Sequence, residues 1–347
     1  MPVIKSAISS LSLGRAEVGH SLPTKLRSAR AAGFHGVEIS FFCLSEFSKL
    51  FGITLKEAAR QTRVLLDELD LEAVSLSPLM NFEGQIDRAA HAERLNEGKL
   101  WLELCHLLRA PFLQIPGTML PLDKLSDDLI ITDLAEFAEL ASKFEPSIQI
   151  AFEFTSWSTK VNTWQQTLEI VRKLQISNVS ICLDTFHMGT YLLHKHSQQI
   201  PLPPGLSTRD ESVTDSLAKL SNSQLDPHCF PLYQLTDAGP ILASLPPRQP
   251  TQDPQAPLLQ TMSRTNRPFA SPDGLLPIIE ISKALWALQS KAPADSVFWW
   301  SIETFMARAW YEDASVPEEL AKQARESWNY VALEVGLPLE FCIRPGV

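Results

Sequence analysis

The chain has little of what marks a disulfide-stabilised or zinc-binding protein. Five cysteines are spread over 347 residues without any CxxC pair: Cys43, Cys105, Cys182, Cys229 and Cys342. An odd, scattered set of this kind indicates neither a disulfide framework nor a thiolate zinc site. We expect reduced thiols and, with them, a cytoplasmic location.

Long apolar runs and excess positive charge are also missing. No run reaches membrane-spanning length, and the N-terminal segment lacks the apolar core of a signal peptide. The net charge is −10 with a pI near 5.3, which argues against nucleic acid or an anionic membrane as a partner. The motifs GxSxG, GxxxxGK[ST], HExxH and GxGxxG do not occur. We therefore expect a small-molecule substrate.

Four short apolar runs each end on a polar residue able to bind a metal. The runs IQIAFE, VSICLD, CFPLYQ and VFWWSIE end at Glu153, Asp184, Gln234 and Glu303. Each has the composition of a buried parallel strand. Three carboxylates and one amide oxygen form an oxygen-only set that suits Mg²⁺ or Mn²⁺. The sequence therefore predicts that these four residues bind one divalent metal.

Strand-like and helix-like segments alternate along the whole chain. Eight such units predict a parallel sheet closed into a single (β/α)8 TIM barrel over residues 1–347. The active site of such a barrel lies at the carboxyl ends of the strands. Helices are expected over roughly 54–69, 87–108, 126–143, 161–174, 275–289 and 318–334. Two long loops, 190–225 and 239–273, are expected to cover the active-site face.

Residues that follow the strands are candidates for substrate chemistry. His187 comes three residues after Asp184 and has the pKa of a general base or acid. Ser263, Arg264 and Arg267 lie in MSRTNRPF, where guanidinium groups suit a carboxylate or phosphate of the substrate.

Further candidates lie at a helix start and near other strand ends. Arg88 and His91 begin a helix at the same face, and Arg88 is predicted to contact the substrate. His20 follows the first strand. Asp237 is a candidate for orienting a ligand, and Glu38 is equally compatible with a structural ion pair.

Several of these stretches together resemble the fungal 3-dehydroshikimate dehydratases, within the xylose-isomerase-like barrel superfamily. The resemblance runs nearly end to end and includes SSLSLGR, DRAAHAERL, LQIPGTMLP, FEFTSWSTKVNTW, ICLDTF, YQLTDA, MSRTNRPF and VPEELAKQARESW. WSTKV and VPEELA have no generic structural reason to recur, so the set is specific.

The resemblance implies a metal-dependent lyase that converts 3-dehydroshikimate, a cyclic hydroxy-keto acid, to protocatechuate in quinate and shikimate catabolism. The resemblance implies that the metal ligands of the family correspond to Glu153, Asp184, Gln234 and Glu303. It also implies that the catalytic histidine corresponds to His187 and the carboxylate-binding pair to Ser263 and Arg267. Wider relatives, the sugar isomerases and epimerases, usually have histidine where Gln234 stands.

Three positions depart from the fungal pattern. Phe42 and Cys43 replace expected acids, and Asn81 replaces an expected histidine. These changes leave two alternatives open. One is a sugar isomerase or epimerase in which Glu153 and Glu303 exchange protons with a ketose. The other is a catalytically silent binding relative. A nuclease is disfavoured by the acidic charge and the missing histidine-rich zinc pattern.

Overall fold

The eight strands form a closed parallel barrel in chain order. A computed structural model describes residues 1–194, 213–222, 224–239 and 258–344. Each strand pairs with the next, and the first also pairs with the last. The strands are β1 Val3–Ser9, β2 Gly36–Ser40, β3 Glu72–Ser77, β4 Phe112–Pro116, β5 Gln149–Glu153, β6 Val179–Asp184, β7 Leu232–Leu235 and β8 Val297–Ile302. The predicted (β/α)8 TIM barrel is confirmed.

Helices surround the barrel. In the described ranges they are α1 Leu22–Ala32, α2 Phe41–Phe51, α3 Leu55–Glu68, α4 Arg88–Leu108, α5 Asp127–Ala141, α6 Trp164–Leu174, α7 Thr185–His194, α8 Val213–Leu220, α9 Leu258–Thr265, α10 Ile278–Gln289 and α11 Val316–Val335. No helix within these ranges is long and apolar enough to cross a bilayer.

The six helices predicted from apolar spacing match α3, α4, α5, α6, α10 and α11 with ends shifted by a few residues. Local signals explain such ends. Thr163 and Gln166 form a capping box at the start of α6. Gly33 ends α1 in the left-handed conformation at φ 92°. The sequence did not predict α2 directly after β2, where EISFFCL was read as the departure from the fungal pattern.

The two predicted long loops are only partly within the described residues. The segment 190–225 contains the end of α7 and all of α8, and the segment 239–273 contains α9. Residues 195–212, 223 and 240–257, including the proline- and glutamine-rich stretch, lie outside the described residues. The prediction that they cover the active-site face stays a prediction.

The core has two parts, one outside the strands and one inside the barrel. The larger cluster fills the space between strands and helices. A separate buried cluster takes one side chain from seven of the strands: Ala7, Val74, Phe112, Ala151, Cys182, Leu232 and Trp299. This second cluster is called the barrel floor below, because the candidate site lies directly above it.

Candidate active site

A layer of polar side chains lies on the barrel floor, towards the carboxyl ends of the strands. Side chains on a strand alternate between its two faces, so residues two apart share a face. Two positions beyond Ala151, Cys182 and Leu232 of the floor come Glu153, Asp184 and Gln234. Glu303 follows Trp299 by four positions on the same face. The four predicted metal ligands therefore lie at one end of the barrel.

Arg267 occupies the space between two of these ligands. Its Nη2 atom lies 2.5 Å from Oδ2 of Asp184 and 3.3 Å from Oε2 of Glu303. Its backbone forms an antiparallel bridge with Phe305, with N–H to C=O distances of 3.0 Å in both directions. This bridge holds Arg267, which follows α9, against the segment that follows β8. Arg267 is only 2% exposed.

Burial dominates the electrostatics of the acids. It raises the pKa of Glu153 well above the ordinary value, and the nearby Asp184 and Glu303 raise it further. It also raises the pKa of Glu303 to about 8, against the opposing effect of Arg267. For Arg267 itself, burial disfavours the charge, but Asp184, Glu303 and Glu153 outweigh it and raise the pKa. When every group is ionised, Glu153, Asp184 and Glu303 carry three negative charges against the one positive charge of Arg267.

His187 belongs to the same cluster and is buried below the surface. It lies in the first turn of α7, and its Nε2 atom is 3.7 Å from Oε1 of Glu153 and 4.0 Å from Oδ2 of Asp184. Burial lowers its pKa to about 3, so the ring is neutral near pH 7. The backbone N–H of Ser156 donates to Nδ1 at 3.2 Å. With this bond formed, the proton of the neutral ring lies on Nε2, facing Glu153, while the other tautomer carries it on Nδ1, where Oγ of Ser156 at 3.2 Å can accept it.

Two further buried side chains set the orientation of Gln234. The Nε2 atom of Gln234 is 3.2 Å from both carboxylate oxygens of Glu38. The Nε2 atom of Gln114 donates to Oε1 of Gln234 at 3.3 Å and to Oε2 of Glu153 at 2.9 Å. Glu38 also accepts from Oγ of Ser75 at 2.8 Å. The amide oxygen of Gln234 therefore points to the side of Glu153, as a ligand role requires.

Gln114 was missed by the sequence analysis, although a signal was present. It is the single polar side chain within the buried strand FLQIP, two residues after Phe112 of the barrel floor. A lone polar residue inside an apolar strand requires a hydrogen-bond partner. Glu38, in GVEIS, has the same signature, and its carboxylate accepts from the amide nitrogen of Gln234; a role at the site stays a prediction.

A cavity of about 530 Å³ opens above the cluster. Glu153, His187, Arg267 and Glu303 line its inner end. Ser263 and Arg264, from α9, also line it, and Oγ of Ser263 lies 3.5 Å from Nη1 of Arg267. The structure thus brings together every predicted metal ligand, His187 and the three predicted residues of MSRTNRPF. Their individual roles stay predictions.

The remaining predicted candidates lie away from the cavity. Arg88 is an ion-pair partner of the buried Asp133 at 2.8 Å, and His91 contacts the same carboxylate at 3.3 Å. Nε2 of His20 lies 3.0 Å from the carbonyl oxygen of Asp313. Asp237 accepts hydrogen bonds from the backbone of residues 238, 275 and 276. These contacts are structural, and none of these side chains lines the cavity.

The three departures from the fungal pattern have different surroundings. Phe42 lines the cavity. Cys43 is buried, with its sulfur 3.3 Å from the Nζ atom of the equally buried Lys25. Oδ1 of Asn81 accepts from the N–H of Met119 at 3.0 Å and joins the segments that follow β3 and β4. Only Phe42 is therefore in a position to contact a substrate.

The donor chemistry of the cluster fits a divalent cation. Glu153, Asp184 and His187 each bring one possible ligand atom within 4.8 Å of the others. Carboxylate and amide oxygens are ligands for Mg²⁺ and Mn²⁺, while an added imidazole nitrogen also suits other transition metals. The surplus negative charge around Arg267 is a second indication, because buried carboxylates need compensation.

Comparison with known proteins places the chain in a family. The sequence profile described as xylose isomerase-like TIM barrel matches residues 26–204. A 3-dehydroshikimate dehydratase of Neurospora crassa is 33% identical over 353 residues, covering 97% of this chain and 96% of that protein.

Solved structures share the fold at lower identity. One is a xylose isomerase-like TIM barrel/4-hydroxyphenylpyruvate dioxygenase fusion protein, with a TM-score of 0.70 and 23% identity over 99% of this chain and 45% of that one. Another is an IOLI protein with a bound zinc atom, with a TM-score of 0.67 and 18% identity over 95% of this chain and 99% of that one. The profile and the near full-length relative together show that the chain belongs to the xylose isomerase-like TIM barrel family, in the branch that contains the fungal 3-dehydroshikimate dehydratase.

Proposed function

We propose that the chain is a hydro-lyase that converts 3-dehydroshikimate to protocatechuate. The observation that carries the proposal is the cluster of Glu153, Asp184, His187 and Glu303 at the inner end of a cavity that also contains arginines. Such a site offers proton-transfer groups beside a place for a ketone, and cations for a carboxylate. The near full-length similarity to the Neurospora crassa enzyme supports the same reaction.

The reaction removes water across two neighbouring ring carbons. A base takes the proton from the carbon next to the ketone, and the hydroxyl group on the following carbon takes up a proton and leaves as water. The dienone that is formed then loses one proton from a ring CH2 group while its ketone oxygen gains one, which gives the aromatic product. The α proton is weakly acidic, so the enolate oxygen needs stabilisation. Mg²⁺ or Mn²⁺ held by Glu153, Asp184, Gln234 and Glu303 would supply it as a Lewis acid.

His187 and Glu153 are the candidates for moving protons. The neutral ring of His187 has a nitrogen free to act as a base near pH 7, and although burial lowers its pKa, the charge of Asp184 opposes that effect. To accept a proton at Nε2, the ring must take the tautomer with its own proton on Nδ1, which gives up the hydrogen bond from the backbone N–H of Ser156. Oγ of Ser156, 3.2 Å from Nδ1, is placed to accept that hydrogen. Asp184 and Glu153 then face the imidazolium and stabilise it.

A sugar isomerase that uses Glu153 and Glu303 is the alternative from another reaction class. Both glutamates line the cavity, as that reaction requires. A neutral ketose, however, gives no use for the arginines around the same cavity. The arginine content of the site therefore favours the carboxylated substrate.

The experiment is an ultraviolet assay for protocatechuate formed from 3-dehydroshikimate by the purified protein. We expect activity that is abolished by chelator and restored by Mg²⁺ or Mn²⁺. Glu153→Gln and Glu303→Gln should each abolish it while the protein stays folded, and Glu97→Gln at the cavity mouth is the matched control. Absence of protocatechuate with every metal would reject the lyase, and turnover of a ketose instead would establish the isomerase.

A further inference from the structure

A lysine and a cysteine contact each other in the core between α1 and α2. Nζ of Lys25 lies 3.3 Å from Sγ of Cys43, and the two residues are 0% and 1% exposed. Lys25 is buried because it belongs to the inner face of α1, together with Leu22 and Leu26. Cys43 lies in the first turn of α2, shortly after β2. The reaction proposed above uses neither side chain.

Cys43 is the hydrogen-bond partner of the lysine nitrogen. Burial lowers the pKa of Lys25, and Cys43 opposes that effect through its charge and its hydrogen bond. Among the residues that the structure describes, Lys25 forms no ion pair with a carboxylate. An isolated ammonium in such a place is costly. The pair is therefore an ammonium beside a thiolate or an amine beside a thiol, and one proton moving along the hydrogen bond interconverts the two forms.

The other cysteines have different surroundings. Sγ of Cys105 donates to a backbone oxygen 3.8 Å away, and Sγ of Cys182 accepts from Nε2 of Gln114 at 3.6 Å. Burial raises the pKa of Cys105, Cys182 and Cys229, which keeps these thiols protonated. A buried thiol without a basic partner is inert, whereas a neighbouring lysine favours the reactive thiolate. Cys43 is therefore the buried thiol that the structure prepares for reaction.

The pair lies behind one wall of the cavity. Phe42, which precedes Cys43, lines the cavity, as do Arg15 and Glu17, whose charges act on Lys25. A molecule as small as hydrogen peroxide has only to pass this wall to reach the sulfur. Larger reagents are excluded by the burial of both side chains.

We propose that Lys25 and Cys43 are the site of a reversible oxidative cross-link, in which hydrogen peroxide joins Sγ to Nζ. The thiolate attacks the peroxide, the O–O bond breaks, and a sulfenic acid and one water are formed. The amine nitrogen then attacks the sulfur, the S–O bond breaks, and the oxygen leaves as a second water with a proton from the nitrogen. Sulfur loses two electrons and the peroxide gains them. The separation of 3.3 Å lies within the ~3–3.5 Å range from which bound groups react.

The bridge would tie α1 covalently to α2. Phe41, Ser45 and Glu46 of α2 line the cavity, so oxidation would fix this part of its wall. A thiol reductant reverses the step, because its thiolate attacks the sulfur and releases the lysine amine. The inference does not depend on which reaction the cavity catalyses.

The test is peptide mapping of the wild-type protein before and after exposure to hydrogen peroxide. In the reduced protein, unfolding in iodoacetamide alkylates Cys43, and trypsin cleaves after Lys25. After oxidation we expect loss of both, with AEVGHSLPTKLR linked to AAGFHGVEISFFCLSEFSK at the sum of their masses less two hydrogen atoms. Dithiothreitol should restore the alkylation and the cleavage. Cys105 is the control in the same digest and should stay fully alkylated, because it is equally buried but has no lysine partner.

Cys43→Ser keeps a hydrogen-bond acceptor for Lys25 and should lose the linked peptide completely. Three results would overturn the inference. Cys43 could stay fully alkylatable at a peroxide concentration that oxidises the half-buried Cys229. It could be oxidised to the sulfinic acid while trypsin still cleaves after Lys25. The linked peptide could also persist in Cys43→Ser. The wild-type map alone decides the first two, so the test does not depend on the variant folding.

Discussion

Arg267 and Asp184 form a buried ion pair, with 2.5 Å between Nη2 and Oδ2, between residues that are 83 positions apart in the sequence. Neither side chain is more than 2% exposed. Asp184 and Glu303 are also predicted metal ligands, so the guanidinium lies at the edge of the proposed metal site. The sequence analysis predicted that Arg267 binds the substrate carboxylate, and that role stays a prediction.

Arg267→Ala should destabilise the metal-free protein strongly. Removal of one partner from a buried pair leaves uncompensated charge and typically costs about 3–5 kcal/mol. Added Mg²⁺ or Mn²⁺ should recover much of the lost Tm, because a cation can compensate Asp184 and Glu303 in place of the guanidinium. Thermal melts with chelator and with metal measure both effects, and Arg172→Ala on the exposed face of α6 is the control. An unchanged Tm in chelator would show that the ion pair is not formed.

Glu38→Gln should weaken metal binding without removing a ligand. Glu38 accepts both hydrogen bonds of the Gln234 amide nitrogen, and a glutamine there can present its own amide nitrogen instead. The Gln234 amide would then lose the constraint that points its oxygen at the site. Changes in such supporting groups commonly cost about 10–100-fold in metal affinity. Titration with Mn²⁺, followed by electron paramagnetic resonance, gives the affinity directly, and equal affinity in the variant would contradict the orienting role.

Ser156→Ala separates a basic His187 from a merely structural one. The change keeps the backbone N–H that reaches Nδ1 but removes Oγ, the acceptor for a hydrogen on Nδ1. If His187 accepts the substrate proton at Nε2, kcat should fall by about tenfold or more while KM changes little. Steady-state kinetics decide the matter, with Ser158→Ala as the control on the same loop. A variant with wild-type kcat would indicate that Glu153, and not His187, abstracts the proton.

Glu83→Gln should reduce the dependence of stability on pH. Burial raises the pKa of Glu83 from 4.5 to about 8, and the nearby Asp133 adds to this. Between these values the folded protein keeps a proton that the unfolded chain releases, so the free energy of unfolding falls as the pH rises. The slope is at most ~1.4 kcal/mol per pH unit.

The measurement is Tm between pH 5 and pH 8 in wild type and variant. Glutamine cannot ionise, so we expect a flatter profile and a gain in stability that is largest near pH 8. Glu334→Gln, at an exposed position of α11, should keep the wild-type slope. Parallel profiles for wild type and Glu83→Gln would show that this carboxyl group is not buried in the folded protein.

The strands and the four residues at their ends were predictable because they rest on local signals. Apolar runs bounded by polar turns gave β5, β6 and β8, and the barrel rule placed Glu153, Asp184 and Glu303 at one mouth. Gln234 followed from the same rule, although β7 continues one residue further. The alternation of side chains along β4 also predicts that Gln114 faces the inside of the barrel, but the sequence analysis did not use that signal.

Other parts of the site depend on contacts that no local pattern contains. The pairing of Arg267 with Asp184 needs the bridge to Phe305, which joins segments far apart in the chain. The helix α2 begins at Phe41, and its aromatic residues read equally well as the continuation of a strand. The separation of Arg88 from the cavity depends on Asp133 in a different helix. Each of these is decided by tertiary packing.

The barrel floor closes the inner end of the cavity. Its side chains, from Ala7 to Trp299, are packed and buried directly beneath the polar layer. A molecule that reaches Glu153 therefore cannot pass through the barrel and must leave on the side from which it came. Substrate and product of the proposed reaction occupy the same cavity, so we expect accumulated protocatechuate to act as a competitive inhibitor that slows the enzyme before the substrate is exhausted.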